Sequence, residues 1–112
     1  MVASADVTGG LEGWMVVATL LLRLHLSGSE SLKDKRQVVK SLSARLSRQF
    51  GVSVAEIGEL EVRQVAELGI AMVSNQVSHA ERVLDSAIRF VEETRPDVEI
   101  TDIGRETLTV FQ

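Results

Sequence analysis

From Met15 to Leu26 the chain reads MVVATLLLRLHL, with an aliphatic residue at every second position from Val16 to Leu26. In an extended strand alternate side chains point to opposite faces, so Val16, Ala18, Leu20, Leu22, Leu24 and Leu26 form one unbroken apolar side. The other side, Val17, Thr19, Leu21, Arg23 and His25, is apolar in its first half and polar in its second. This pattern predicts a central strand, covered by helices on one face and partly open on the other. The segment falls well short of the ~20 apolar residues that a bilayer crossing needs, and Arg23 and His25 interrupt it. No membrane span is expected.

Two stretches downstream change to helical spacing. After the turn SGSES (27–31), Ser31 and Asp34 stand at capping-box distance, with Asp in place of the usual Glu or Gln. Leu32, Val38, Val39, Leu42, Leu46 and Phe50 then share one helical face, and Gly51 supplies a stop. The second set, Val77, Ala80, Val83, Leu84, Ala87, Ile88 and Val91, ends where Arg95-Pro96 forbids continuation. Between the helices VSVAEIG (52–58) alternates as a short strand, GELEVRQ (58–64) is polar enough for a connection, and VAELGIAMVS (65–74) is a second central strand. Val98 and Ile100 open a last strand, while the tail from Gly104 carries no assigned element.

The order is strand, helix, strand, strand, helix, strand. That is the split βαβ pattern of an α+β, ferredoxin-like βαββαβ sandwich, a four-stranded antiparallel sheet with two helices on one face. With 112 residues and 45% hydrophobic residues there is material for one such domain. Residues 15–112 are assigned to it. Residues 1–14, with a Gly-Gly pair and no period, are expected to be a flexible leader, and Met15 is itself a candidate start.

The open sheet face should then carry Val17, Thr19, Leu21, Arg23, His25, Ser53, Ala55, Glu67, Gly69, Ala71, Val73, Glu99 and Thr101. It holds no aromatic residue, which argues against base stacking of the kind that RNA-recognition domains of this topology perform. Its apolar content exceeds what solvent favours, so a homodimer is expected, with Val17, Leu21, Arg23, Glu67, Ala71 and Val73 in the interface. A carboxylate on an inner strand needs a partner, and Arg23 is the obvious one for Glu67.

Charge is distributed unevenly. The whole chain carries twelve Lys and Arg against sixteen Asp and Glu, a net of −4. Residues 31–50 carry Lys33, Lys35, Arg36, Lys40, Arg45 and Arg48 against Asp34 alone, a net of +5, which leaves −9 for the remainder. Lys33, Arg36 and Lys40 fall within roughly 60° on a helix that advances about 100° per residue. Cations early in a helix oppose its dipole, so their presence there calls for a reason. Lys33, Lys35, Arg36 and Lys40 are the candidate contacts for RNA or an acidic partner. The alternative is an ordinary solvated helix face.

Signals for catalysis are sparse. The two His, His25 and His79, form no metal-ligand spacing, and no phosphate-cradling Gly loop, Ser-His-Asp order or HExxH is present. No cofactor or metal is expected. The absence of Cys and of a secretory signal fits a reducing cytosol, so a cytoplasmic location is expected.

Four blocks, SLKDKRQVVKSL (31–42), FGVSVAEIG (50–58), AELGIAMVSN (66–75) and HAERVLDSAIRFVEE (79–93), occur in an order and with gaps that resemble the YlxP-like family of small uncharacterised bacterial proteins. The resemblance runs from about Met15 to Glu106. It implies a ferredoxin-like fold, a cytoplasmic bacterial protein and frequent encoding beside translation and ribosome-maturation factors, with no established enzymatic activity. Ser31, Leu32, Lys33, Asp34, Lys35 and Arg36 match the helix-start block, and Glu67 and His79 fall within two others. The combined expectation is a non-enzymatic binding protein in ribosome maturation or translation, with ribosomal RNA or a ribosome-associated protein as partner. The runner-up is a homo-oligomeric structural or small-ligand-sensing protein that uses the open sheet face, and an unrecognised enzyme comes third.

Overall fold

The computed structural model describes residues 14–111. The expected leader, 1–14, lies outside the described residues except for Trp14. The elements are β1 (Met15–Leu26), α1 (Leu32–Phe50), β2 (Ser53–Gly58), β3 (Val65–Ser74), α2 (Val77–Thr94) and β4 (Val98–Val110). The sheet order is β2-β3-β1-β4 and every pairing is antiparallel. This is the ferredoxin-like α+β arrangement that the sequence predicts.

Each boundary has a local cause. The Ser31 hydroxyl accepts from the Asp34 amide at 3.0 Å, and the Asp34 carboxylate accepts in return from the Glu30 amide at 3.1 Å. Two free amides at the start of α1 are thus satisfied by side chains one turn apart. Gly51 ends the helix in the left-handed region at φ 66°, its N–H donating to the Ser47 carbonyl, a conformation that only Gly adopts without strain. The turn after α2 is held by Arg95, whose Nε and a terminal nitrogen donate to the two Asp97 oxygens at 3.0 and 2.8 Å. These hydrogen bonds hold the Asp97 carboxyl below its ordinary value of 3.8 and raise Arg95. A depressed carboxyl stabilises the fold above its unfolded value, so this contribution is present at neutral pH and fades only as pH falls below 3.8.

The core lies between the sheet and the two helices. The even-numbered side chains of β1, with Ala66, Leu68 and Ile70 of β3, meet Val39, Leu42 and Leu46 of α1 and Ala80, Leu84, Ala87 and Val91 of α2. Among the described residues no helix is long and apolar enough to cross a membrane.

β4 departs from expectation by continuing through Gly104 to Val110. The pairing with β1 shifts register between Arg23 and Leu24, leaving Thr101 as an extra residue whose hydroxyl donates to the Arg23 carbonyl at 3.2 Å. Beyond this bulge the alternation restarts, so Asp102, Gly104, Glu106 and Leu108 stand opposite Arg23, Leu21, Thr19 and Val17.

The two faces of β1 differ in burial and therefore in the cost of truncation. Leu22 is 0% exposed and Leu21 is 40% exposed. Leu22→Ala should cost about 2–5 kcal/mol and Leu21→Ala under about 1 kcal/mol, as read from urea denaturation midpoints. Equal costs would contradict the assignment of faces.

Candidate functional site

Lys35 is 0% exposed, and this corrects its assignment as an anion contact. Its position four, seven and eleven residues before Val39, Leu42 and Leu46 puts it on the apolar side of α1. Its ammonium donates to the carbonyls of Glu59, Val62 (2.7 Å) and Val65 (3.0 Å), using all three protons. Glu56 Oε2 lies 3.0 Å from the same nitrogen and is buried without a hydrogen-bond donor, so the carboxylate meets the ammonium as a charge contact. Lys35 thereby anchors the β2–β3 connection to α1, and no anion from outside can reach it.

The other three candidates remain on the surface. Lys33, Arg36 and Lys40 are exposed on the outward side of α1, and among the described residues none forms a hydrogen bond or ion pair. The face continues further than the sequence candidates indicated. Lys40, Arg45 and Arg48, with Gln37, surround a shallow notch of about 470 Å³ whose floor is Ser41 and Ala44. Small side chains between three cations leave room for a phosphate-sized group. Arg45 is held in place because its guanidinium carbon lies 5.1 Å from the centre of the Phe90 ring, and Phe90 in turn meets Phe50 edge-on at 5.6 Å. Arg48 could have been found from the sequence, since it follows Lys40 by eight residues, about 80° round the helix, whereas Arg45 lies about 140° from Lys40, on the flank next to α2.

The six residues expected in an oligomer interface all lie on the open sheet face. Val17 pairs with Val73, Thr19 with Ala71, Leu21 with Gly69 and Arg23 with Glu67 across β1 and β3. The expected Arg23–Glu67 ion pair is present at 3.6 Å, and Arg23 also reaches Glu59 at 3.4 Å. Gly58 leaves room beside it, because a Cβ there would meet the Glu67 carboxylate and push it aside from its place by Arg23. The same face forms a shallow trough of about 580 Å³ over Thr19, Leu21, Ala55, Gly69, Ala71 and Gly104. His25 sits at the end of this face opposite Val65 and Glu99, while His79 is exposed on α2. Among the described residues no cluster of His, Asp or Glu could hold a metal ion.

Residues 17–105 match the family described as "Protein of unknown function (DUF503)". The chain belongs to this family. It is 37% identical over 71 residues to "Uncharacterized protein YlxP" of Bacillus subtilis (strain 168), covering 63% of this chain and 76% of that protein. Among solved structures it is similar to "De novo designed protein Foldit4", with a TM-score of 0.48 and 15% identity, covering 84% of this chain and 96% of the other.

In this DUF503 chain two lysines two residues apart thus stand in opposite environments, Lys35 buried and Lys33 exposed. Lys35→Met removes the donor of three carbonyls and leaves Glu56 buried without its counter-charge, which should cost about 3–5 kcal/mol. Amides of residues 59–65 should lose hydrogen-exchange protection together. Lys33→Met should stay within about 0.5 kcal/mol of the parent in the same urea titration.

Proposed function

We propose that this protein is a non-enzymatic RNA-binding protein of the cytoplasm, acting in ribosome maturation or translation through the outward face of α1. The observation that carries this reading is the run of exposed cations Lys33, Arg36, Lys40 and Arg48, which no acid of the described residues neutralises. Unpaired cations at successive axial steps of about 4.5, 6 and 12 Å can each meet a phosphate along one strand. The Arg45 guanidinium, fixed over Phe90, adds a positioned donor at the edge of the notch. Phosphate contacts of this kind orient a partner without reading its bases, so the expected binding depends on RNA backbone shape rather than sequence.

RNA is favoured over an acidic protein because three cations rim the notch and none of its lining residues is a large apolar side chain of the sort that anchors protein interfaces. The family resemblance, with its neighbourhood of translation and ribosome-maturation factors, supports the same reading.

Charge reversal of Lys33, Arg36 and Lys40 to Glu should abolish binding to ribosomal RNA fragments in fluorescence anisotropy. The parent should show a log–log salt slope near −2 to −3, since each phosphate contact contributes about 0.7–0.9. Reversal of Arg82 and Arg89 on α2 serves as the control and should leave affinity within a few-fold. Retained binding by the α1 triple variant would reject the assignment, and competition by an acidic peptide alone would assign the face to a protein.

A further inference from the structure

The open sheet face has a chemistry of its own. Leu21 stands at its centre with Gly69 on one side and Gly104 on the other, in register across three strands. Two flanking glycines leave a Leu side chain without the neighbours that would normally shield it. Ile57 leans over the first gap, its Cδ1 3.0 Å from where a Cβ on Gly69 would stand, while the gap over Gly104 stays open. Val73 and Leu108, 62% and 54% exposed, continue the apolar surface on either side of Val17.

Around this apolar centre the charge is predominantly negative. Glu67, Glu99, Asp102 and Glu106 lie on the face itself, and the Glu59 carboxylate reaches it through Arg23. Arg23 is the single Lys or Arg among the residues in register on this face, and it already serves Glu59 and Glu67. We infer that this face receives an amphipathic, basic helical segment of another protein, with Leu- or Val-sized side chains entering beside Leu21 and Lys or Arg side chains meeting the acidic border.

Charge complementarity selects this occupant over the others. A second copy stacked on the trough brings the same acids and no free cation to meet Asp102 and Glu106. The cationic side of α1 from another copy carries Ser41 and Ala44 between its charges and cannot fill an apolar trough. Nucleic acid is repelled by the carboxylates and finds no aromatic ring to stack on. Four strands at about 4.8 Å spacing give a width near 14 Å, which about ten residues of helix cover.

The inference does not depend on the reading of α1, and one set of samples distinguishes them. The probe is an 18-residue peptide of Leu and Lys with Leu at i, i+3, i+4 and i+7 spacing. The controls are a scrambled peptide of the same composition and a Leu/Glu peptide of the same pattern, all titrated by fluorescence anisotropy. The patterned Leu/Lys peptide should bind, and both controls should bind at least about tenfold more weakly. Leu21→Glu and Val73→Glu, each at an exposed site and checked for fold by circular dichroism, should weaken it by a similar factor while RNA affinity stays at the parent level. Failure of the patterned peptide to bind, or equal binding of the scrambled one, overturns the inference. So does a dimer in light scattering that Leu21→Glu dissociates, because the face then belongs to a second copy. Loss of RNA binding by the parent protein would reject the α1 reading alone.

Discussion

The unbroken aliphatic side of β1 is the constraint on which the rest of the structure depends. Its six side chains, from Val16 to Leu26, are all essentially removed from water. Burying them requires cover along the whole length of the strand, and neither helix alone supplies it. Both crossovers therefore deliver their helices to the same face, and β1 becomes central with β3 and β4 on its flanks. The opposite side of the sheet is left uncovered as a consequence. The two surfaces available to partners, the back of α1 and the bare sheet, are thus fixed by where the apolar residues of one strand point.

A second dependency runs through Lys35. A buried ammonium is tolerated only where hydrogen bonds and an opposite charge replace its lost water. Here the carbonyls of residues 59, 62 and 65 and the Glu56 carboxylate provide both. The arrangement acts on the chain in return, since a connection with little apolar burial of its own is drawn onto α1. Glu59 adopts the left-handed region at φ 60°, where a residue with a Cβ is disfavoured. Its carbonyl is held by Lys35 and its carboxylate by Arg23, which is the sort of over-determination that keeps a strained residue in place. The Glu67 and Arg23 side chains at the acidic end of the open face are positioned by the same connection.

A net charge of −4 says little about a molecule built this way. Cations collect on the outward side of α1 and carboxylates on the far side of the sheet, with a helix about 10 Å across and the sheet itself between them. At physiological salt the screening length is about 8 Å, so each surface presents its own potential to a partner. A polyanion approaching α1 is scarcely aware of the acids behind it. Opposite charge thus sits on opposite layers of the molecule.

Short-range pattern was enough to determine much of this. Period-two and period-3.6 spacing located all six elements, the strand Val65–Ser74 and the helix Leu32–Phe50 to within a residue, because side-chain direction follows directly from backbone geometry. The Arg23–Glu67 pairing also followed, since the two strands had to be neighbours. β4 could not be delimited, because beyond Ile103 its helix-facing side chains lie at the margin of α2, with Arg105 reaching Asp85 at 2.6 Å and Thr107 exposed. Pairing with β1 rather than an apolar pattern sustains that half of the strand.

Lys35 marks the limit. Its helical phase with Val39 and Leu42 was readable, yet a lysine on an apolar stripe has two outcomes, reaching to solvent or staying buried. Which one holds depends on whether enough acceptors converge on its nitrogen. Those acceptors come from residues 21 to 30 positions away, and only the folded chain brings them to one point. Sequence periodicity assigns a residue to a side of its own element, while the company it keeps there is decided by the tertiary structure.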